Sequence, residues 1–187
     1  ENHQDRGVAD LLWFPTGGGK TEAYLGLIAF TLFLRRMRYG ETGAGVASFM
    51  RYTLRLLTVQ QFQRAAAMIC ACDTLRQGLD VPTDIDVNLT DIPFSLGLWV
   101  GSDTTPNNFN KAREAMNDAT AHNRPDQLKY CPRHIQTRLS WKVDKDRSEI
   151  VAYCDNADCL WHGVPVPIWT VDDNIYEHNP SLVIGTI

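Results

Sequence analysis

Two groups of residues in this 187-residue chain have the types and spacing to do chemistry. The first is Phe14-Pro15-Thr16-Gly17-Gly18-Gly19-Lys20-Thr21. Three adjacent glycines let a backbone turn sharply and aim successive N–H groups at one anion. A helix opening at Thr21 adds the positive end of its dipole. Lys20 is then placed to reach the β- and γ-phosphates of a nucleotide, and the Thr21 hydroxyl to ligate Mg²⁺. The pattern predicts a phosphate-binding loop in which Thr16, Gly17, Gly18, Gly19, Lys20 and Thr21 hold ATP, with Lys20 and Thr21 as the catalytic residues. A plain Gly-rich turn is the alternative, and Lys-Thr at this position weighs against it.

The second group is Cys131-Pro132-Arg133-His134 and, about 19 residues on, Cys154 with Cys159 and His162. Tetrahedral zinc takes four Cys or His ligands, usually as two close pairs on two turns. The spacing predicts Cys131, Cys154 and Cys159 as ligands, with His134 or His162 as the fourth. His134 is preferred because it completes the two-pair geometry. Four filled positions leave none open, so the expected Zn²⁺ is structural. A small polar module lacks the apolar mass for its own core, and a metal can replace that mass. The competing reading is unlinked cysteines in a loop region.

These residues need elements to position them. Asp10–Phe14 is a short apolar run suited to a buried strand, and Thr21–Arg38 reads as a helix, apolar nearly all round and therefore largely buried. Its terminal Arg35, Arg36 and Arg38 read as a solvated helix end. Val46–Leu54 reads as a second strand. Thr58 then opens a helix to about Gln77, with Gln61 as its capping-box partner. Cys70 and Cys72 on that helix read as buried small apolar residues. Phe94–Val100 is a third strand and Asn107–Ala121 a third helix. Alternating strands and helices of these lengths imply a parallel sheet in a layered α/β fold. Apolar β-like character returns at Val166–Val171 and Leu182–Ile187. The predicted organisation is therefore an α/β region over 1–127, a zinc-binding insertion over 128–165 and a return to the α/β region over 166–187.

Net charge is −4, so a globally basic nucleic-acid binder is excluded. A local basic face remains possible, because residues 1–76 hold nine Lys/Arg against six acids. Ala23–Leu34 is too short to span a membrane, so no membrane partner is expected. Five cysteines, an odd number, with no secretory segment point to a reducing, cytoplasmic setting. The closing Ser181–Ile187 run reads as a strand cut at its exit turn, as expected of part of a longer protein.

Arg55-Leu56-Leu57-Thr58-Val59-Gln60 enters a helix from the second strand. The block resembles motif Ia of the superfamily 2 helicases. That resemblance implies that Arg55, Thr58 and Gln60 face a nucleic-acid strand, joined by Thr186 after the Leu182–Ile184 strand. Gly101 resembles the glycine turn between those two motifs. Polar side chains and helix N-terminal N–H groups bind backbone phosphates without reading sequence. The Trp13–Gly26 block, the Arg51–Thr58 block, the cysteine insertion and the Ile175–Thr186 stretch further resemble the DISARM-type phage-defence helicases. This implies a P-loop, RecA-like parallel sheet with helices on both faces, interrupted by the zinc insertion. It also implies ATP hydrolysis coupled to movement on nucleic acid, DNA ahead of RNA, and other defence-system subunits as partners. Two positions depart from the family: Phe14 replaces a small residue, and His134 stands where Cys is common.

A phosphate-loop ATPase also needs an acid after a strand. Asp172 and Asp173 follow Val166–Val171, but Pro165 and Pro167 make that run a poor central strand. They read as a loop leaving the zinc module, and the family's acidic box lies beyond Thr186. These residues by themselves are then expected to hydrolyse little ATP. Two rival classes remain: a non-enzymatic nucleic-acid or protein docking module with a degenerate nucleotide site, and a small-molecule kinase, which would not need the Arg55–Gln60 block.

Overall fold

The computed structural model describes residues 19–52, 55–79 and 89–186, with the backbone alone at 55–59. Helix α1 spans Lys20–Tyr39 and buries Leu25, Ile28, Leu32 and Arg36, a stripe at helical spacing. It is amphipathic rather than buried all round, for Leu27, Phe30, Met37 and Tyr39 are exposed. Strand β1 (Ser48–Tyr52) follows, then α2 (Arg55–Arg76), β2 (Leu96–Trp99) and α3 (Phe109–Asn117). Next come the hairpin β3 (Leu139–Asp144) and β4 (Glu149–Cys154), then β5 (Ile168–Trp169), α4 (Asp172–His178) and β6 (Leu182–Thr186).

The fold is mixed α/β. β1, β6, β2 and β5 form one sheet in that order, and every neighbouring pair is parallel. Side chains alternate across such a sheet. Leu96, Leu98, Leu182 and Ile184 point to one face and are wholly buried with Phe62, Ala65, Ala66 and Ile69 of α2. Fully burying each such Leu or Ile is worth about 1.5–3 kcal/mol. On the other face Gly97 makes room for α4 and the turn after it: a Cβ there would stand 3.4 Å from Ile175 of α4 and 2.8 Å from Pro180 Cγ. The α4 helix also holds the hairpin, as Asn174 donates to the Ser148 carbonyl at 3.2 Å and the His178 ring lies 2.8 Å from Glu149.

Several expectations are revised. The α2 helix starts at Arg55, so Thr58 lies inside it rather than at its cap. The third helix is shorter than predicted, and Asn108 caps it by accepting from the Lys111 N–H at 3.0 Å. Asp172 and Asp173 open a helix instead of leaving a loop. Arg36 is buried at 1% exposure, not solvated. Its guanidinium donates to the Leu89 and Ile92 carbonyls and to Thr90, and it lies 4.8 Å over the Phe94 ring. Burial, then the charge of Arg76, lowers its pKa, and Asp73 opposes both.

Candidate metal centre and phosphate-binding loop

Cys131 opens a tight turn. Its N–H donates to Thr137 O at 2.8 Å, and the Thr137 N–H closes back on His134 O at 2.7 Å. The second turn leaves β4 at Cys154, where the Cys159 N–H donates to Asn156 O at 3.0 Å. Asn156 also donates its N–H to Cys154 Sγ at 3.5 Å. The two turns converge so that the ligand atoms of Cys131, His134, Cys154 and Cys159 all lie within 4.8 Å of one another.

Cys131 Sγ and Cys159 Sγ are 3.8 Å apart. That is far from a disulfide bond and close to the separation that two Zn–S bonds of about 2.3 Å impose at a tetrahedral angle. His134 Nδ1 is buried with no hydrogen-bond partner among the described residues. A polar atom so placed needs a partner, and a metal ion supplies one. Burial pushes the Cys154 thiol up to about 12, and a bound dication would reverse that cost. Three thiols and an imidazole form a soft donor set, so the cluster can hold a metal ion such as zinc. His162 lies outside this cluster, exposed, with Nδ1 3.2 Å from the Cys154 carbonyl.

The cluster is not a module apart from the sheet. Cys131, Cys154 and Cys159 belong to the same buried core as Leu96, Phe62 and Ile69. Cys70 of α2 is buried beside it, and Cys131 and Cys159 add to the burial that raises its pKa. Cys72 is also buried.

Of the candidate phosphate-binding residues before α1, Thr16, Gly17 and Gly18 lie outside the described residues. Gly19 precedes α1 at φ 77°, a left-handed conformation that favours glycine. Lys20 and Thr21 form the first turn, both half-buried. Glu22 pairs with Arg64 of α2 at 2.7 Å, on the surface where such a pair adds little stability. Arg55 and Thr58 occupy the start of α2, and Gln60 is exposed. Thr186 ends β6 opposite Tyr52, the last residue of β1, and its hydroxyl donates to Val100 O at 3.5 Å. The start of α2, Thr186 and the Gly101 turn therefore gather at the C-terminal edge of the parallel sheet, where open α/β sheets bind ligands.

No family model matches the chain. One curated relative does: the chain is 36% identical over 205 aligned residues to DISARM protein DrmA of Bacillus paralicheniformis. This chain resembles DrmA. The alignment covers 98% of the chain and 17% of the relative, so the chain spans about a sixth of DrmA's length. The stretch alike in DrmA includes both the glycine loop and the metal cluster. Among the described residues no helix is long and apolar enough to cross a membrane.

Asp172, set aside in the sequence as a loop acid, is buried at the start of α4. Its pKa rises to about 6, first through burial and then through Asp173, against a hydrogen bond from the Trp99 indole. Oδ1 has no partner among the described residues. A carboxyl held above its unfolded value takes up protons on folding. Its contribution to stability is therefore full below about pH 4 and is lost as pH rises through about 6. Asp172→Asn is expected to raise the melting temperature at pH 7.5 and to flatten the pH 4–6 slope. A variant melting at or below the wild type at pH 7.5 would contradict this account.

Proposed function

We propose that the chain is the first part of the ATP-binding lobe of a superfamily 2 helicase or translocase that acts on DNA in phage defence. The observation that carries this reading is the 36% identity to DISARM protein DrmA across a stretch containing the glycine loop. The lobe is RecA-like, built from residues 1–127 and 166–187, with residues 128–165 as its metal-binding insertion. Thr16, Gly17, Gly18, Gly19, Lys20 and Thr21 hold ATP, Lys20 neutralising phosphate charge and Thr21 ligating Mg²⁺. Arg55, Thr58, Gln60 and Thr186 hold the nucleic-acid strand. Cys131, His134, Cys154 and Cys159 hold a structural Zn²⁺. Asp172 bonds to Trp99, and Asp173 accepts from the Phe109 N–H at 3.2 Å. Asp173 fastens α4 and Asp172 is buried beneath Trp99 at the start of that helix, so the acid that orients the attacking water comes from elsewhere in the full-length protein.

Lys20→Ala in the full-length protein is expected to lower DNA-stimulated ATP hydrolysis at least about a hundredfold, because charge stabilisation of the transferring phosphoryl group dominates such reactions. Unchanged turnover would defeat the proposal. Retained DNA binding with no ATP binding in the wild type would favour a docking module instead.

A further inference from the structure

We infer that the exposed Tyr130, Arg138 and Lys142 edge of the β3–β4 hairpin, with the half-buried Tyr153 beside it, is a second nucleic-acid contact, shaped for a single strand. It rests on the reading that the protein works on nucleic acid, but it uses none of the residues assigned to that contact above. Alternate residues of a strand share a face, so Arg138, just before β3, lies with Ser140 and Lys142. Tyr130 bridges Arg138 across an antiparallel pair, and Tyr153 stands opposite Ser140. Directly opposed residues also share a face. Two tyrosines and two cations therefore form one row. The Arg138 guanidinium lies 6.0 Å from the Tyr130 ring centre and the Lys142 ammonium 5.0 Å from that of Tyr153.

The reverse face carries Leu139 and Trp141 opposite Cys154 and Ala152, turned into the core beside the metal cluster. The row thus stands on a floor packed into the core. Arg138, Lys142 and Tyr130 are exposed. Among the described residues neither cation is paired with a carboxylate. Three acids border this row: Asp155 accepts from Ser140 at 2.6 Å, Asp144 lies two residues beyond Lys142, and Glu149, opposite Asp144, is engaged by His178 at 2.8 Å. Residues 129–147 hold six Lys/Arg against two Asp in a chain whose net charge is −4.

Charge complementarity selects an anionic partner, and the aromatic rings select its kind. Unpaired bases stack on tyrosine whatever their sequence, whereas bases inside a duplex have no free face to offer. Arg138 and Lys142 are roughly 13 Å apart along the strand, a length over which a stacked strand carries about four phosphates. On binding, the cations move from the rings to phosphates and bases take their place.

The test measures fluorescence anisotropy of a labelled oligothymidine with the full-length protein over a salt series. Arg138→Ala/Lys142→Ala is expected to weaken binding at least about tenfold and to reduce the salt slope by about 1.4, the share of two phosphate contacts on a single strand. Tyr130→Ala weakens binding about tenfold with the slope unchanged. Arg138→Lys/Lys142→Arg restores wild-type affinity, which separates charge from folding. Zinc content and melting are followed for each variant. If Arg55→Ala abolishes binding while the hairpin variants bind as the wild type does, the hairpin face is overturned and the α2 assignment stands. If the hairpin variants lose binding and Arg55→Ala does not, the hairpin face stands and the α2 assignment fails. A wild type that binds no oligothymidine overturns the hairpin face as well.

Discussion

Cys154→Ser is expected to abolish the proposed metal binding and to open the β3–β4 hairpin. Cys154 is both the last residue of β4 and one of the four converging Cys and His side chains that could hold a metal ion. The expected free energy of a structural zinc with this kind of donor set is on the order of 10 kcal/mol, and that energy is folding energy where the site does not exist in the unfolded chain. Serine keeps the size and loses the thiolate, leaving a hydroxyl in a place that is 1% exposed. Zinc measured by elemental analysis should fall from one per chain to near none. Amide exchange in residues 128–165 should rise with it. Because Cys131, Cys154 and Cys159 share the core with α2 and the sheet, the loss should also spread to Ile69 and Leu96. His134→Ala should lose the metal too, and His162→Ala should keep it. Full zinc occupancy in Cys154→Ser, or loss in His162→Ala, would refute this ligand set.

Asp73→Ala should be the most damaging single change away from the metal. Asp73 accepts from Arg76 Nε at 2.6 Å, from Gln77 at 2.9 Å and from the Phe94 N–H at 2.9 Å. It is 1% exposed and faces a second buried cation, Arg36. Removing it leaves the Arg76 charge and a backbone donor at the entrance of β2 without their acceptor. Breaking a buried pair in this way costs about 3–5 kcal/mol, which is a fall of about a thousandfold in amide protection over Phe94–Leu98 by the tenfold per 1.4 kcal/mol conversion. Asp73→Asn retains an oxygen for the Phe94 N–H and should lie between. Protection unchanged in Asp73→Ala would show that Arg76 and Arg36 find other partners at no cost.

Local chemistry was legible in the chain. Glycines followed by Lys-Thr marked the opening of α1. The alternation of apolar runs with helical spacing marked β1, α2, β2 and β6 to within a few residues. The Cys-x2-His spacing marked the turn that brings Cys131 and His134 into the cluster. Each of these depends on neighbours within a few residues, where bond geometry and side-chain size decide the outcome. Tertiary structure alone decided the rest. An arginine at a helix end reads as solvated until a distant segment, Leu89–Ile92, wraps its guanidinium with carbonyls. His134 and His162 sit at equal sequence spacing from a cysteine, and only the convergence of two turns distinguishes them. Asp172 looked like a loop acid because nothing near it in sequence shows that Trp99 covers it. Nor does the chain show that Cys131, Cys154 and Cys159 lie in the main core rather than outside it. In every such case the deciding group comes from a segment distant in sequence, and burial energy depends on what arrives in space, not on what precedes in sequence.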